Sequence, residues 1–76
     1  MTLDECNLGD LIILHTSGID WYIDKIIGID TNNIQIEVIK CLDIDCPHKV
    51  GSRWFVEIAE IKKYHKITSL EKIKYL

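Results

Sequence analysis

The sequence predicts a mainly β protein, a small five-stranded barrel followed by a short C-terminal helix. Fifteen of the 76 residues are isoleucine, and β-branched side chains favour strands. Apolar and polar residues alternate over several short runs, which is the period of a half-buried strand. Turn-forming residues separate these runs at short intervals, as in small all-β domains.

The chain is expected to fold as one domain, residues 1–76, near the lower size limit for folding without a metal or disulfide. No apolar run approaches the roughly 20 residues that a membrane span needs. The first ten residues lack the basic start and apolar run of a signal peptide, so we expect a cytoplasmic protein. In that reducing compartment three free thiols are expected, with Cys6 and Cys41 packed as small hydrophobic side chains.

The first half of the chain predicts three strands. The first spans 9–16 and opens at a Gly-Asp pair. The second spans 20–30, and the adjacent pair Ile26 and Ile27 interrupts its alternation, which indicates a bulge or burial on both faces. The turn sequence TNN then leads into a third strand, 33–42, so the second and third strands form a hairpin.

The second half predicts a loop, two more strands and a helix. The loop at 43–52 precedes a fourth strand at 53–58, whose even-numbered apolar residues are expected to face the core. One helical turn then leads to a fifth strand at 64–67. The tail 68–76 opens with a T-x-x-E capping pattern and is too short for an isolated helix, so it must dock on the body or on a partner, or fray.

The order of these elements resembles the Src-homology-3-like small barrel. The matching segments are Gly9-Asp10 with LIIL, the hairpin YIDKIIGIDTNNIQIEVI and the run WFVEIAEIKKY, which together cover about residues 8–67. The resemblance implies a barrel with residues 68–76 as an appended helical tail. Chromatin readers, translation-factor KOW domains and many small phage proteins share this superfold, which hosts peptide, nucleic-acid, lipid and small-ligand binding.

No arrangement of a nucleophile, a base and an orienting group is visible, nor is a G-x-S-x-G, phosphate-binding or dinucleotide motif. A barrel of this size also fills its interior with side chains. We therefore expect a non-enzymatic binding protein without a cofactor. Cys41, Cys46 and His48 are the candidate metal ligands, but no second ligand pair follows them, so an ordinary loop is favoured over a zinc site.

Charge is distributed unevenly along the chain. The formal charge is −5 in residues 1–30, −2 in residues 31–60 and +4 in residues 61–76, which sums to −3. The basic end is expected to lie against the acidic body of its own fold or of a second copy, and a nucleic-acid-binding tail is the alternative.

The leading functional hypothesis is a protein–protein interaction or inhibitor module, of the type that phages and mobile elements direct at a host factor. The isoleucine- and lysine-rich composition of the sequence is typical of an AT-rich genome, as many phages and mobile elements have. Four carboxylates expected on the outer face of the central hairpin would contact the partner. They are Asp20, Asp24, Asp30 and Glu37.

Two alternatives involve anions: a homo-oligomer that sequesters a small anionic ligand such as a nucleotide, or a nucleic-acid-binding barrel. Lysines would bind the phosphates, and aromatic rings would stack on the bases. A solvated, lysine-rich sheet edge explains the same pattern without a ligand. The candidate residues are Trp21, Tyr22, Lys62, Lys63, Tyr64 and Lys66.

Overall fold

The computed structural model describes residues 1–16, 19–42 and 48–75, without the side chains of residues 15, 16, 19–21 and 75. Within this part of the chain the protein is mainly β, with five antiparallel strands and a short C-terminal helix, which confirms the predicted fold class. A 3-10 turn, Leu3–Glu5, precedes the first strand. In chain order the other elements are β1 Leu11–Thr16, β2 Ile19–Ile29, β3 Asn33–Cys41, β4 Arg53–Glu57, α1 Ile58–Ile61, β5 Tyr64–Lys66 and α2 Ser69–Tyr75.

The five described strands form one sheet in the order β4-β3-β2-β1-β5. Strands β1 to β4 follow one another as antiparallel neighbours, and β5 returns to pair with β1. β4 and β5 are therefore the two outer strands, and no pairing between them closes the described sheet. Val56 of β4 and Tyr64 of β5 nevertheless belong to the same buried cluster, so the sheet curls until its two edges approach each other. We call the gap between β4 and β5 the seam.

The β2–β3 hairpin is the longest pairing in the fold, and it is irregular at two points. The register shifts between Ile23 and Asp24, and again between Ile26 and Gly28. The predicted irregularity near the middle of β2 is therefore confirmed. Each shift changes which side chains share a face, because side chains alternate strictly only in a regular strand.

Buried side chains cover both faces of the sheet. Ile12 and Ile13 are consecutive on β1 and point to opposite faces, and each belongs to a different buried cluster. The main cluster fills the concave face, and the smaller one lies on the other face. The main cluster holds Cys6, Ile12, Ile26, Ile34, Ile36, Val56, Ile61 and Tyr64, and the smaller one holds Ile13, Ile23 and Ile67.

Alternation predicts that Ile58 is the inward-facing end of β4, and this is wrong. The strand ends at Glu57, and Ile58 begins α1 with 42% of its surface exposed. The predicted helical turn redirects the chain, so Ile61 rather than Ile58 enters the main cluster. Local hydrogen bonding in the turn decides this position, since the apolar pattern alone does not mark the end of the strand.

The helix α2 forms where the capping pattern predicts it. The Glu71 backbone N–H donates to the Thr68 hydroxyl, and the Thr68 backbone N–H donates to the Glu71 carboxylate, both at 3.2 Å. Leu70 and Ile73, the expected docking stripe, are 79% and 82% exposed. The helix therefore does not dock this stripe on the body of its own chain. Neither helix in the described residues combines the length and apolar character needed to cross a membrane.

Candidate binding cleft

A cleft of about 360 Å³ lies at the seam. Both outer strands contribute to its walls, together with the end of β1 and the helical turn α1. The cleft exists because the sheet curls without closing, which leaves a gap where a complete barrel would pair its first and last strands. Its lining residues are Leu14, Trp54, Phe55, Val56, Glu57, Glu60 and Tyr64.

Two aromatic side chains, Trp54 and Tyr64, give the cleft an apolar wall, and Phe55 lies at its rim. Trp54 is partly buried against the main cluster, Tyr64 is buried, and Phe55 is 65% exposed. Burial raises the pKa of Tyr64 to about 12, and the charge of Asp24 acts in the same direction, whereas a hydrogen bond from the Trp54 side chain opposes them. Trp54 and Tyr64 are therefore fixed in the wall, whereas the exposed Phe55 ring lies on the opposite face of β4 from Trp54.

Two carboxylates flank this wall. Glu57 ends β4 and Glu60 lies in α1, and both residues are exposed. The Glu60 carboxylate forms an ion pair with the Lys63 ammonium, with Oε2 and Nζ 2.9 Å apart, and both side chains are more than half exposed. An exposed pair of this kind is weak and exchanges readily with another cation. The cleft thus combines an apolar aromatic surface with negative charge, which suits a segment that is both apolar and basic.

Asp24 is the largest departure from the expected acidic face. It pairs with Ile12 on one side and Val38 on the other, and residues directly opposite each other share a face. Both neighbours are fully buried, and Asp24 itself is only 1% exposed. Its predicted place on the outer face of the hairpin is therefore wrong. The extra residue of β2 between Ile26 and Gly28 reverses the alternation, so Asp24 shares the concave side with Ile26.

The buried carboxyl of Asp24 has no compensating partner at one oxygen. Oδ1 makes no hydrogen bond to any described residue. Burial raises the pKa of Asp24 to about 7, since removing a carboxylate from water disfavours the charged form. Asp24 is not among the residues that line the cleft, so it affects the stability of the fold around the cleft rather than contacting a ligand directly.

Of the other predicted acidic residues, the structure describes the side chains of Asp30 and Glu37, which lie at different places on the hairpin. Asp30 is exposed at the β2–β3 turn, where its carboxylate accepts a hydrogen bond from the Thr31 backbone at 2.7 Å. The Glu37 carboxylate forms an ion pair with the Arg53 guanidinium, with Oε1 and Nε 2.8 Å apart. The side chain of Asp20 lies outside the described set. Whether any of these residues contacts a protein stays a prediction.

Two of the three proposed stacking rings are buried. Tyr64 is 6% exposed and Tyr22 is 7% exposed. The Tyr22 hydroxyl accepts a hydrogen bond from the His48 backbone at 2.9 Å, which holds it in the interior. The expectation that these two tyrosines stack on a base is corrected by their burial. The Trp21 side chain falls outside the described residues.

The lysines of the anion-binding hypothesis are mostly paired. Lys63 contacts Glu60, and the Lys66 ammonium lies 3.2 Å from the Asp10 carboxylate. Lys62 is exposed. The basic segment is thus partly neutralised by the acidic body of its own fold, as the charge distribution predicts, while anion binding remains a prediction.

The cysteine–histidine loop is only partly described, because Cys46 falls outside the described residues. Cys41 is disulfide-bonded, so the expectation of three free thiols is wrong. Cys6 is a free, buried thiol, as predicted. The His48 ring packs against Trp54 and Tyr22, with ring centroids 4.9 Å and 5.9 Å apart. Within the described residues, no three potential ligands come together to hold a metal.

Sequence reasoning missed the cleft residues Phe55, Glu57 and Glu60. A signal for Phe55 was present, because it occupies an odd position in a strand whose even positions face the core. A large aromatic residue on the solvent side of a strand is a candidate for a contact surface, because aromatic residues are enriched in the cores of protein interfaces. Comparison with known proteins finds no matching family model, curated protein or solved structure, so the chain's own residues carry the functional inference.

Proposed function

We propose that the protein is a non-enzymatic protein-interaction module that captures a basic, partly apolar segment of a partner protein in the seam cleft. The observation that carries this proposal is the aromatic wall of Trp54 and Tyr64, with Phe55 at the rim and Glu57 and Glu60 beside it. Aromatic side chains are enriched in interface cores, and rim carboxylates select a basic partner and accelerate its encounter.

The fold supports the Src-homology-3-like part of the proposal. The long β2–β3 hairpin and the helical turn between β4 and β5 are features on which the resemblance rests, and the five-stranded sheet, although not closed, is compatible with a small barrel-like fold. We further propose that the partner is a host factor and that the module is of the phage or mobile-element type, acting in the host cytoplasm. The isoleucine- and lysine-rich composition supports this source.

The buried acid Asp24 is proposed to have no catalytic role. A carboxyl with a pKa raised to about 7 has the strength of a general acid–base catalyst. Asp24, however, is 1% exposed and is closed off by the side chains around it. Catalysis requires the group to come within hydrogen-bonding distance of the substrate. We therefore assign Asp24 no chemical step.

The test is a titration of the isotope-labelled protein with a short peptide rich in lysine and leucine, followed by nuclear magnetic resonance. A peptide with glutamate replacing each lysine is the charge control. We expect only the basic peptide to shift the backbone amides of β4 and α1 and the indole N–H of Trp54. Equal binding of both peptides, or shifts that avoid the cleft, would refute the proposal.

Matched variants locate the contribution of charge. Glu57→Gln and Glu60→Gln keep the side-chain size and remove the charge, so each is expected to weaken peptide binding, and to weaken it less at high salt. Asp4→Asn removes an equally exposed carboxylate from the N-terminal 3-10 turn and should leave binding unchanged. If all three variants weaken binding alike, the effect comes from net charge and not from the cleft.

A further inference from the structure

The helix α2 carries an exposed apolar stripe, and its two residues have the highest exposed fractions among the large hydrophobic residues that the structure describes. Leu70 and Ile73 lie three residues apart on one side of the helix, and more than three-quarters of each is exposed. The first turn is held to the body through Glu71, whose carboxylate lies 3.1 Å from the His65 ring. Beyond this anchor, α2 packs closely against none of the described strands.

A seven-residue helix is unstable by itself, since it forms too few hydrogen bonds to offset the conformational entropy lost in forming its first turn. The Thr68–Glu71 capping box and the contact with His65 stabilise only its first turn. Its last turn carries Lys72 and Lys74 beside the apolar stripe. A surface that covers the stripe would therefore stabilise the helix most if that surface were apolar and acidic.

The seam cleft has these two properties. Phe55 lies at the mouth of the cleft. Ile58, the first residue of α1, is 42% exposed. Glu57 and Glu60 supply negative charge beside these apolar side chains. The helix and the cleft of this one chain are therefore complementary in polarity and in charge.

We propose that α2 of one copy of this chain docks in the seam cleft of a second copy, and that the exchange is mutual. This inference rests on the proposed function of the cleft and names one occupant of it. Leu70 and Ile73 would lie against Phe55 and Ile58, with Lys72 beside the two glutamates. A two-fold arrangement closes after two identical contacts, so two short helices bind together where one alone would be weak.

Sedimentation velocity on the full chain over a wide range of concentrations tests the proposal. We expect a monomer–dimer equilibrium that shifts towards monomer as salt is added. The double variant Leu70→Asp and Ile73→Asp should weaken dimerisation by more than about tenfold, because each dimer loses four buried aliphatic side chains. Leu8→Asp introduces a charge at a residue that is 67% exposed outside the stripe, and it should dimerise as the wild type does. A wild-type chain that stays monomeric at every concentration overturns the inference.

Complementation identifies the contact itself. A chain with Glu57→Lys and Glu60→Lys keeps α2 but has a defective cleft, whereas the Leu70→Asp, Ile73→Asp chain keeps the cleft. Neither should self-associate, but a mixture should form a weak heterodimer through the one intact contact. No heterodimer in the mixture overturns the inference, provided that circular dichroism shows both variants folded.

The outcome for the dimer is separable from that for the proposed function. A monomeric wild-type chain that still binds the lysine–leucine peptide in the cleft refutes self-docking and leaves the interaction module standing. A chain that neither dimerises nor binds the peptide refutes both. A dimer that is unaffected by the changes at residues 57, 60, 70 and 73 uses another surface, and this too refutes the inference.

Discussion

The buried carboxyl of Asp24 predicts that the protein loses stability as the pH rises. In the unfolded chain the carboxyl has the ordinary pKa of 3.8, and in the folded chain burial raises it to about 7. Between these values the folded state holds a proton that the unfolded state has released. The free energy of unfolding therefore falls as the pH rises above about 4, and the loss is complete above about pH 7.

The magnitude follows from the shift. Each unit of pKa difference corresponds to about 1.4 kcal/mol, so a rise from 3.8 to about 7 corresponds to about 4 kcal/mol. A domain of this length has a total stability of roughly 4 to 11 kcal/mol. Ionisation of this one buried group thus removes a large fraction of the stability of the fold.

Asp24→Asn is the informative substitution, because asparagine has a similar shape and does not titrate. Its amide also needs hydrogen bonds in the core, so the variant can be less stable at every pH. The informative quantity is the free energy of unfolding of Asp24→Asn minus that of the wild type, from urea denaturation near pH 4 and near pH 8. We expect it to increase by about 4 kcal/mol over this range in favour of the variant.

Taking this difference removes the contributions of other groups. Glu5 and Glu71 have lowered pKa values because of hydrogen bonds from Thr2 and His65, so their contributions are lost as the pH falls, opposite in sign to that of Asp24. Asp4→Asn, at an exposed carboxylate, is the control and should show no such change. A difference that is the same at both pH values would show that Asp24 titrates alike in the folded and unfolded chains, and the reasoning from burial would be wrong.

Three further predictions concern the cysteines, the helix cap and one glycine. Iodoacetamide should modify Cys6 only after unfolding, since Cys6 is buried and burial raises the pKa of its thiol, and it should modify Cys41 only after reduction. Peptide mass spectrometry distinguishes the two sites. Labelling of Cys41 without a reductant would contradict its disulfide. Thr68→Ala should destabilise α2 by about 1 kcal/mol and speed its amide exchange. It should leave the global unfolding midpoint unchanged, because beyond the Glu71–His65 contact α2 packs closely against none of the described strands. A midpoint that falls together with the helix would show that α2 is part of the cooperative core. Gly51 has φ +94°, so Gly51→Ala should lower the stability in urea by about 1 kcal/mol, and an unchanged midpoint would show that the turn relaxes.

The sequence by itself determined the strands, the hairpin and the helix cap. Side chains along a strand point to the same face every two residues, so the alternation of Ile34, Ile36 and Val38 predicts β3 and its buried side from the sequence alone. The capping pattern was equally local, since all the groups it needs lie within four consecutive residues. Burial of Cys6 also followed from residue type alone.

Only the tertiary structure decided where Asp24 lies and that a cleft exists. When both faces of a sheet are buried, alternation divides the side chains into two sets but does not say which set is inside. The two register shifts of the β2–β3 pair, one extra residue in each strand, then reassign residues between the sets. The cleft depends on how far the sheet curls, because Trp54 of β4 and Tyr64 of β5 meet across the seam without pairing their strands. That curvature is a property of the whole packed sheet, and no local pattern in the sequence encodes it.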